Sequence, residues 1–101
     1  VRRSFFETVV SETCDYLRES FPREFANLSW EVEEVPEDVL KAPVSRYGAD
    51  KKTMRITLYR IPIQRLGKFR LNDPRIQIEQ AVISAAAELI DKDPWDLIHP
   101  N

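Results

Sequence analysis

Near the start of the chain a predominantly apolar face recurs at helical spacing. Phe5, Phe6, Val9, Val10, Thr13, Tyr16, Leu17 and Phe21 mark it and predict a helix over residues 4–21. Ser4 with Glu7 three positions later is the capping-box pattern, in which each side chain satisfies a backbone donor left unpaired by the first turn. Pro22 ends or kinks the helix, and residues 23–28 add a short helical turn. The period then changes. Over residues 29–35, Trp30, Val32 and Val35 stand against Glu31, Glu33 and Glu34, which predicts a half-exposed strand with its glutamates in water. Residues 36–40 open with a proline and two acids, as a helical turn does. Residues 43–52 read as a loop, because Gly48 and Asp50 suit turns.

Alternation is clearest over residues 53–60, where Met54, Ile56 and Leu58 interleave with Arg55, Thr57 and Tyr59. Pro62 cannot donate a ladder hydrogen bond, so this strand ends at a sheet edge or leaves the sheet there. Residues 63–68 are expected as a short helix, and Asn72-Asp73-Pro74 as the cap of the last long helix. On that helix Ile78, Val82, Ala85, Ala86 and Leu89 form an inner stripe with Ile83 and Ile90 beside it. Gln77, Glu79, Gln80, Ser84, Glu88 and Asp91 lie mainly elsewhere. Asp93-Pro94-Trp95 restarts a short helical turn. The predicted fold class is α+β: a small mixed sheet built around residues 29–35 and 53–60, packed against an N-terminal and a C-terminal long helix.

A chain of 101 residues holds one core, so residues 1–101 are read as a single domain. Hydrophobic residues at 43%, charged residues at 32% and only two glycines exclude a low-complexity chain. The apolar runs, such as Ala85-Ala86-Ala87, fall far short of the roughly 20 residues of a membrane-spanning helix, so no membrane partner is expected. Arg2 and Arg3 before Phe5-Phe6 have the start of a signal peptide, but Glu7, Glu12 and Asp15 interrupt the apolar region it needs. The single cysteine, Cys14, permits no internal disulfide; it is expected as a small buried helix residue, and the location as cytoplasmic.

The formal net charge of −2 conceals a segregation. Residues 1–50 carry six basic and eleven acidic side chains, residues 51–75 eight and one, and residues 76–101 one and five. The central block of Lys51, Lys52, Arg55, Arg60, Arg65, Lys68, Arg70 and Arg75 has the charge to neutralise phosphates. Its acidic flanks can balance it within the fold, and a pI near 5.4 is well below that of a usual nucleic-acid binder. Nucleic acid is therefore the weaker partner reading.

Four segments carry a family likeness: the F-F-E-T-V-V-S-E helix, the L-S-W-E-V-E-E-V-P strand with its trailing proline, the R-I-T-L-Y-R-I-P-I run, and the last helix ending D-K-D-P-W-D-L. Over nearly the whole chain this order resembles the minimal zincin-like metallopeptidases of bacteria. The resemblance implies a minimal zincin-like fold whose C-terminal helix bears His-Glu-x-x-His. There the two histidines, four apart on one helical face, bind zinc, and the glutamate activates water. This chain has Ser84-Ala85-Ala86-Ala87-Glu88 at that place, so Ser84, Ala85 and Glu88 are degenerate motif positions. The only histidine is His99, third from the last residue, and no register of the chain contains the motif. No catalytic residue, zinc ligand or cofactor carries over, and the chain is not expected to be an enzyme.

Other chemistries have weaker signals. Glu88, Asp91 and Asp93 offer oxygens that suit a hard cation, against the common solvation of acidic helix ends. Ser84 as a nucleophile would need a base, and His99 would have to fold back to serve. Trp30, Tyr59 and Trp95 could bind a ligand, but aromatic residues in elements this short are more often core, and core is the expectation for them. The expectation is a non-catalytic metallopeptidase-like protein whose former substrate cleft binds a peptide or protein partner as an added strand, with Thr57, Tyr59, Arg60 and Ser84 as cleft candidates. The alternatives are an active hydrolase with an unrecognised site, and polyanion or nucleic-acid binding through residues 51–75.

Overall fold

The first helix begins where its capping box places it. In the computed structural model, which describes residues 3–37, 44–65 and 73–98, α1 spans Phe5–Ser20. The Ser4 hydroxyl accepts from the Glu7 N–H at 3.1 Å, and the Glu7 carboxylate accepts from the Ser4 N–H at 3.3 Å. Phe6, Val9, Val10, Cys14 and Leu17 line its buried face. After Pro22 the chain makes one helical turn, closed by Phe25 N–H to Phe21 O, and Phe25 enters the core edge-on to Phe21.

Three strands follow: β1 (Ser29–Glu33), β2 (Tyr47–Asp50) and β3 (Arg55–Tyr59), in the spatial order β1-β3-β2. β1 runs parallel to β3 and β2 antiparallel to it, so the sheet is mixed, as expected. β2 corrects the loop predicted over residues 43–52. Gly48 and Asp50 suit turns, but here Gly48 lies within the strand, where a side chain would begin 3.4 Å from the Tyr59 hydroxyl. Asp50 stands at the strand's end, its carboxylate accepting from the Lys52 N–H at 3.0 Å in the tight link to β3. Met54, at φ 53°, closes that link in the left-handed region.

The helix predicted over residues 63–68 begins earlier. α2 spans Arg60–Arg65 and follows β3 directly, so the chain leaves the sheet at Pro62 by turning helical. Proline is tolerated there because the first turn of a helix has no partners for its N–H groups. Lys68 and residues 38–40 of the other predicted turn lie outside the described residues.

α3 (Pro74–Leu89) is capped by the Asp73 carboxylate, which accepts from the Arg75 N–H at 2.8 Å, with Pro74 in the first turn. Its predicted inner stripe is buried, and Ala81 and Ala87 are buried too. Apolar positions therefore cover much of its circumference, as in a helix with neighbours on several sides. Those neighbours are α1, β2, β3, α2 and the short α4 (Pro94–Ile98). Alanine side chains are small enough to let neighbouring backbones come close. The helix closes with a paired cap: Lys92 N–H donates to Ala87 O at 3.0 Å and Asp91 N–H to Glu88 O at 3.4 Å, with Asp91 left-handed at φ 54°. No helix among the described residues is long and apolar enough to cross a membrane.

Candidate functional site

Alternation along β3 decides which predicted cleft residues can meet. Ile56 and Leu58 are fully buried on the helix side of the sheet, with Trp30, Val32, Tyr47 and Ala49 packed on the same core. Residues between them face the other way. Thr57 and Tyr59 therefore lie on the face away from α3, where the Thr57 hydroxyl donates to Glu31 at 3.1 Å. Arg60, at the start of α2, forks onto Glu34, with Nε at 2.9 Å from one oxygen. That hydrogen bond, more than the charge itself, holds the Glu34 carboxyl below and the Arg60 guanidinium above its ordinary range. Ser84 is half-buried on α3, on the other side of the sheet. Ile56 and Leu58 of β3 and Ala85 and Ala86 of α3 are all fully buried, and the two elements pack on one core, which leaves no open groove between them. The structure thus keeps Thr57, Tyr59 and Arg60 together and does not bring them to Ser84.

The three positions expected to be a degenerate motif divide differently. Ala85 is in the core, Ser84 sits at its margin, and Glu88 is exposed on the flank of α3 that faces β2. There Glu88 accepts a hydrogen bond from the Tyr47 hydroxyl at 3.2 Å. Burial first, and the adjacent Glu88 carboxylate second, hold that hydroxyl above its ordinary pKa, so it remains a protonated donor. Ser45, Arg46, Tyr47 and Glu88 line a polar depression of about 330 Å³.

This depression adjoins an edge strand. Tyr59 N–H donates to Arg46 O at 2.9 Å, which fixes the phase of the β2–β3 ladder. In an antiparallel pair, alternate residues exchange their bonds with the partner strand. Arg46, Gly48 and Asp50 accordingly turn their backbone groups to β3, and Tyr47 and Ala49 turn theirs outward. Among the described residues no strand pairs with that outer edge.

The three carboxylates weighed for a cation are occupied separately. Glu88 takes the Tyr47 hydroxyl, Asp91 takes Lys51 Nζ at 2.5 Å, and Asp93 accepts from the Trp95 N–H at 2.8 Å to start α4. Among the described residues no group of three His, Cys, Asp or Glu side chains gathers as a metal site; His99 lies outside them. Cys14 is fully buried, and burial pushes its thiol up to about 12, which leaves it without nucleophilic character at neutral pH. Four cations of the central block reach acids of the flanks: Lys51 to Asp91, Arg55 to Glu31, Arg60 to Glu34, and Arg75 to Glu12. Trp30 lies half-buried beneath the Arg3 guanidinium at 5.7 Å, and Tyr59 is half-buried. Trp95, at 64% exposure, is not core.

Tyr47 and Arg46 were outside the sequence reading of the site. Their signal was the spacing of Tyr47 and Ala49 ahead of a four-residue link to a strong strand, a hairpin pattern masked by Gly48. Comparison of the chain with protein-family models, with curated proteins and with solved structures gave no match.

Proposed function

We propose that this chain is a non-catalytic, metallopeptidase-like protein of the cytoplasm that binds a peptide or protein partner as a strand added to the outer edge of β2. The observation that carries the reading is the Tyr47–Glu88 hydrogen bond. It ties the motif-position flank of α3 to an edge strand whose outward backbone groups sit at Tyr47 and Ala49. A zincin-like ancestry fits this arrangement, because zincins grip substrate as an added strand beside the motif helix, and such gripping needs main-chain hydrogen bonds rather than a metal. On this reading the cleft belongs to β2 and Glu88, with Ser84 at its inner margin; Thr57, Tyr59 and Arg60 form the far face of the sheet.

Ala49→Pro removes one outward N–H while leaving the β2–β3 ladder its bonds, a position where an edge strand tolerates proline. Extended peptides selected by phage display on the full chain are expected to slow amide exchange at Tyr47 and Ala49, and to lose binding to the Ala49→Pro variant with its circular dichroism unchanged. Selected peptides that bind the variant equally well, or that protect other amides, would refute the edge assignment.

A further inference from the structure

A second surface lies on the opposite flank of α3. Between α1 and α3 runs a groove of about 310 Å³, with Thr13, Tyr16 and Ile83 within it and the end of α4 closing it through Ile98. Tyr16 fixes that closure, its hydroxyl donating to Leu97 O at 2.6 Å. Ile98 is 48% exposed and Ile76, one heptad before Ile83 on α3, is 45% exposed. The rim is charged. Arg75 bridges Glu12 at 2.8 Å and Glu79 at 3.1 Å, so one cation stands between two carboxylates and the mouth keeps a net negative charge. Glu19, one heptad beyond Glu12 on α1, is exposed along the same side.

We propose that this groove receives a basic amphipathic helix of a partner protein. Its aliphatic residues would seat against Ile76, Ile83 and Ile98, and its Lys or Arg side chains would meet Glu12, Glu79 and Glu19. Two features select this occupant. Apolar positions on α3 and acidic positions on α1 both repeat at seven residues, about 10 Å along a helix axis, the repeat at which a docked helix presents one face. The uncompensated charge of the mouth is negative, which favours a cationic partner. A second copy of this chain fits poorly, because a two-fold arrangement on this groove would set one net-negative mouth against another.

The test titrates the full, isotope-labelled chain with a synthetic helical peptide of leucines at heptad spacing flanked by lysines, and with its counterpart carrying glutamates for lysines. The lysine peptide is expected to shift amides of residues 12–19 and 75–83 and to bind more weakly as salt rises. Ile83→Asp, and separately Glu19→Lys at an exposed position, each lower its affinity about tenfold, in the range of single interface residues that matter. Equal binding of the glutamate peptide, an unchanged affinity in Glu19→Lys, concentration-dependent dimerisation of the chain that displaces the peptide, or no binding at all would each overturn the proposal. Because the shifts expected here lie on the side of α3 away from β2, loss of edge-strand binding in Ala49→Pro leaves this outcome unaffected.

Discussion

Cys14 makes the stability of this protein pH-dependent in a direction that can be calculated. Its thiol is fully buried on α1 and titrates at about 12 instead of 9.0, chiefly because burial disfavours the thiolate, with Arg18 opposing and Asp15 adding to the effect. The folded-state pKa is raised, so the contribution is complete below 9.0 and is lost as pH climbs towards 12: there the unfolded chain ionises and the folded one does not. At pH 10.5 the loss is about 2 kcal/mol, taking 1.4 kcal/mol per pH unit travelled beyond 9.0. Cys14→Ala removes the titration and leaves a small cavity costing about 1 kcal/mol. Urea unfolding of both proteins at pH 7.5 and 10.5 is the assay. The wild type should be the more stable at pH 7.5 and the less stable at 10.5, and titrations common to both proteins, such as that of Tyr47, cancel in the difference. A difference between the two proteins that is the same at both pH values would refute the burial argument.

Two further outcomes test the helix that everything packs on. Ala85→Leu adds volume at a fully buried position of α3, so it should lower stability by about 1–3 kcal/mol in chemical denaturation. Asp91 holds a left-handed cap that glycine adopts without strain, while its carboxylate reaches Lys51. With Lys51→Ala as the reference, Asp91→Gly should raise the thermal midpoint by the equivalent of about 0.5–1 kcal/mol, and a fall would show that the cap is not strained.

Much of the fold was legible because local chemistry and tertiary packing agree. Ser4 and Glu7 start α1, Asp73 and Pro74 start α3, and the alternation of Ile56 and Leu58 sets β3. β2 was not legible, since its glycine answers a neighbour on another strand rather than a turn in its own. The start of α2 was obscured by Pro62, which reads as a strand terminator whether the chain turns outward or turns helical. The cleft grouping went astray for a different reason. Thr57, Tyr59 and Ser84 are all partly polar and stand near one another in the expected topology, but an apolar α3 covers the apolar face of β3, which puts Thr57 and Tyr59 behind the sheet. Reading the faces of both elements together separates them; reading each alone does not. Tyr47 and Glu88, 41 positions apart, meet only in three dimensions.

The mixed sheet also constrains how the molecule assembles. β2 reaches β3 through a link of four residues, whereas Glu31 of β1 meets Thr57 of β3 across 26 positions of chain. Closing the longer loop carries the larger entropic penalty, so the hairpin forms early and the parallel strand joins it late. During that interval the inner side of β3 presents open main-chain groups next to Ile56 and Leu58. Refolding at high concentration will therefore favour capture by a neighbouring molecule over arrival of the chain's own first strand, and dilution should restore the yield.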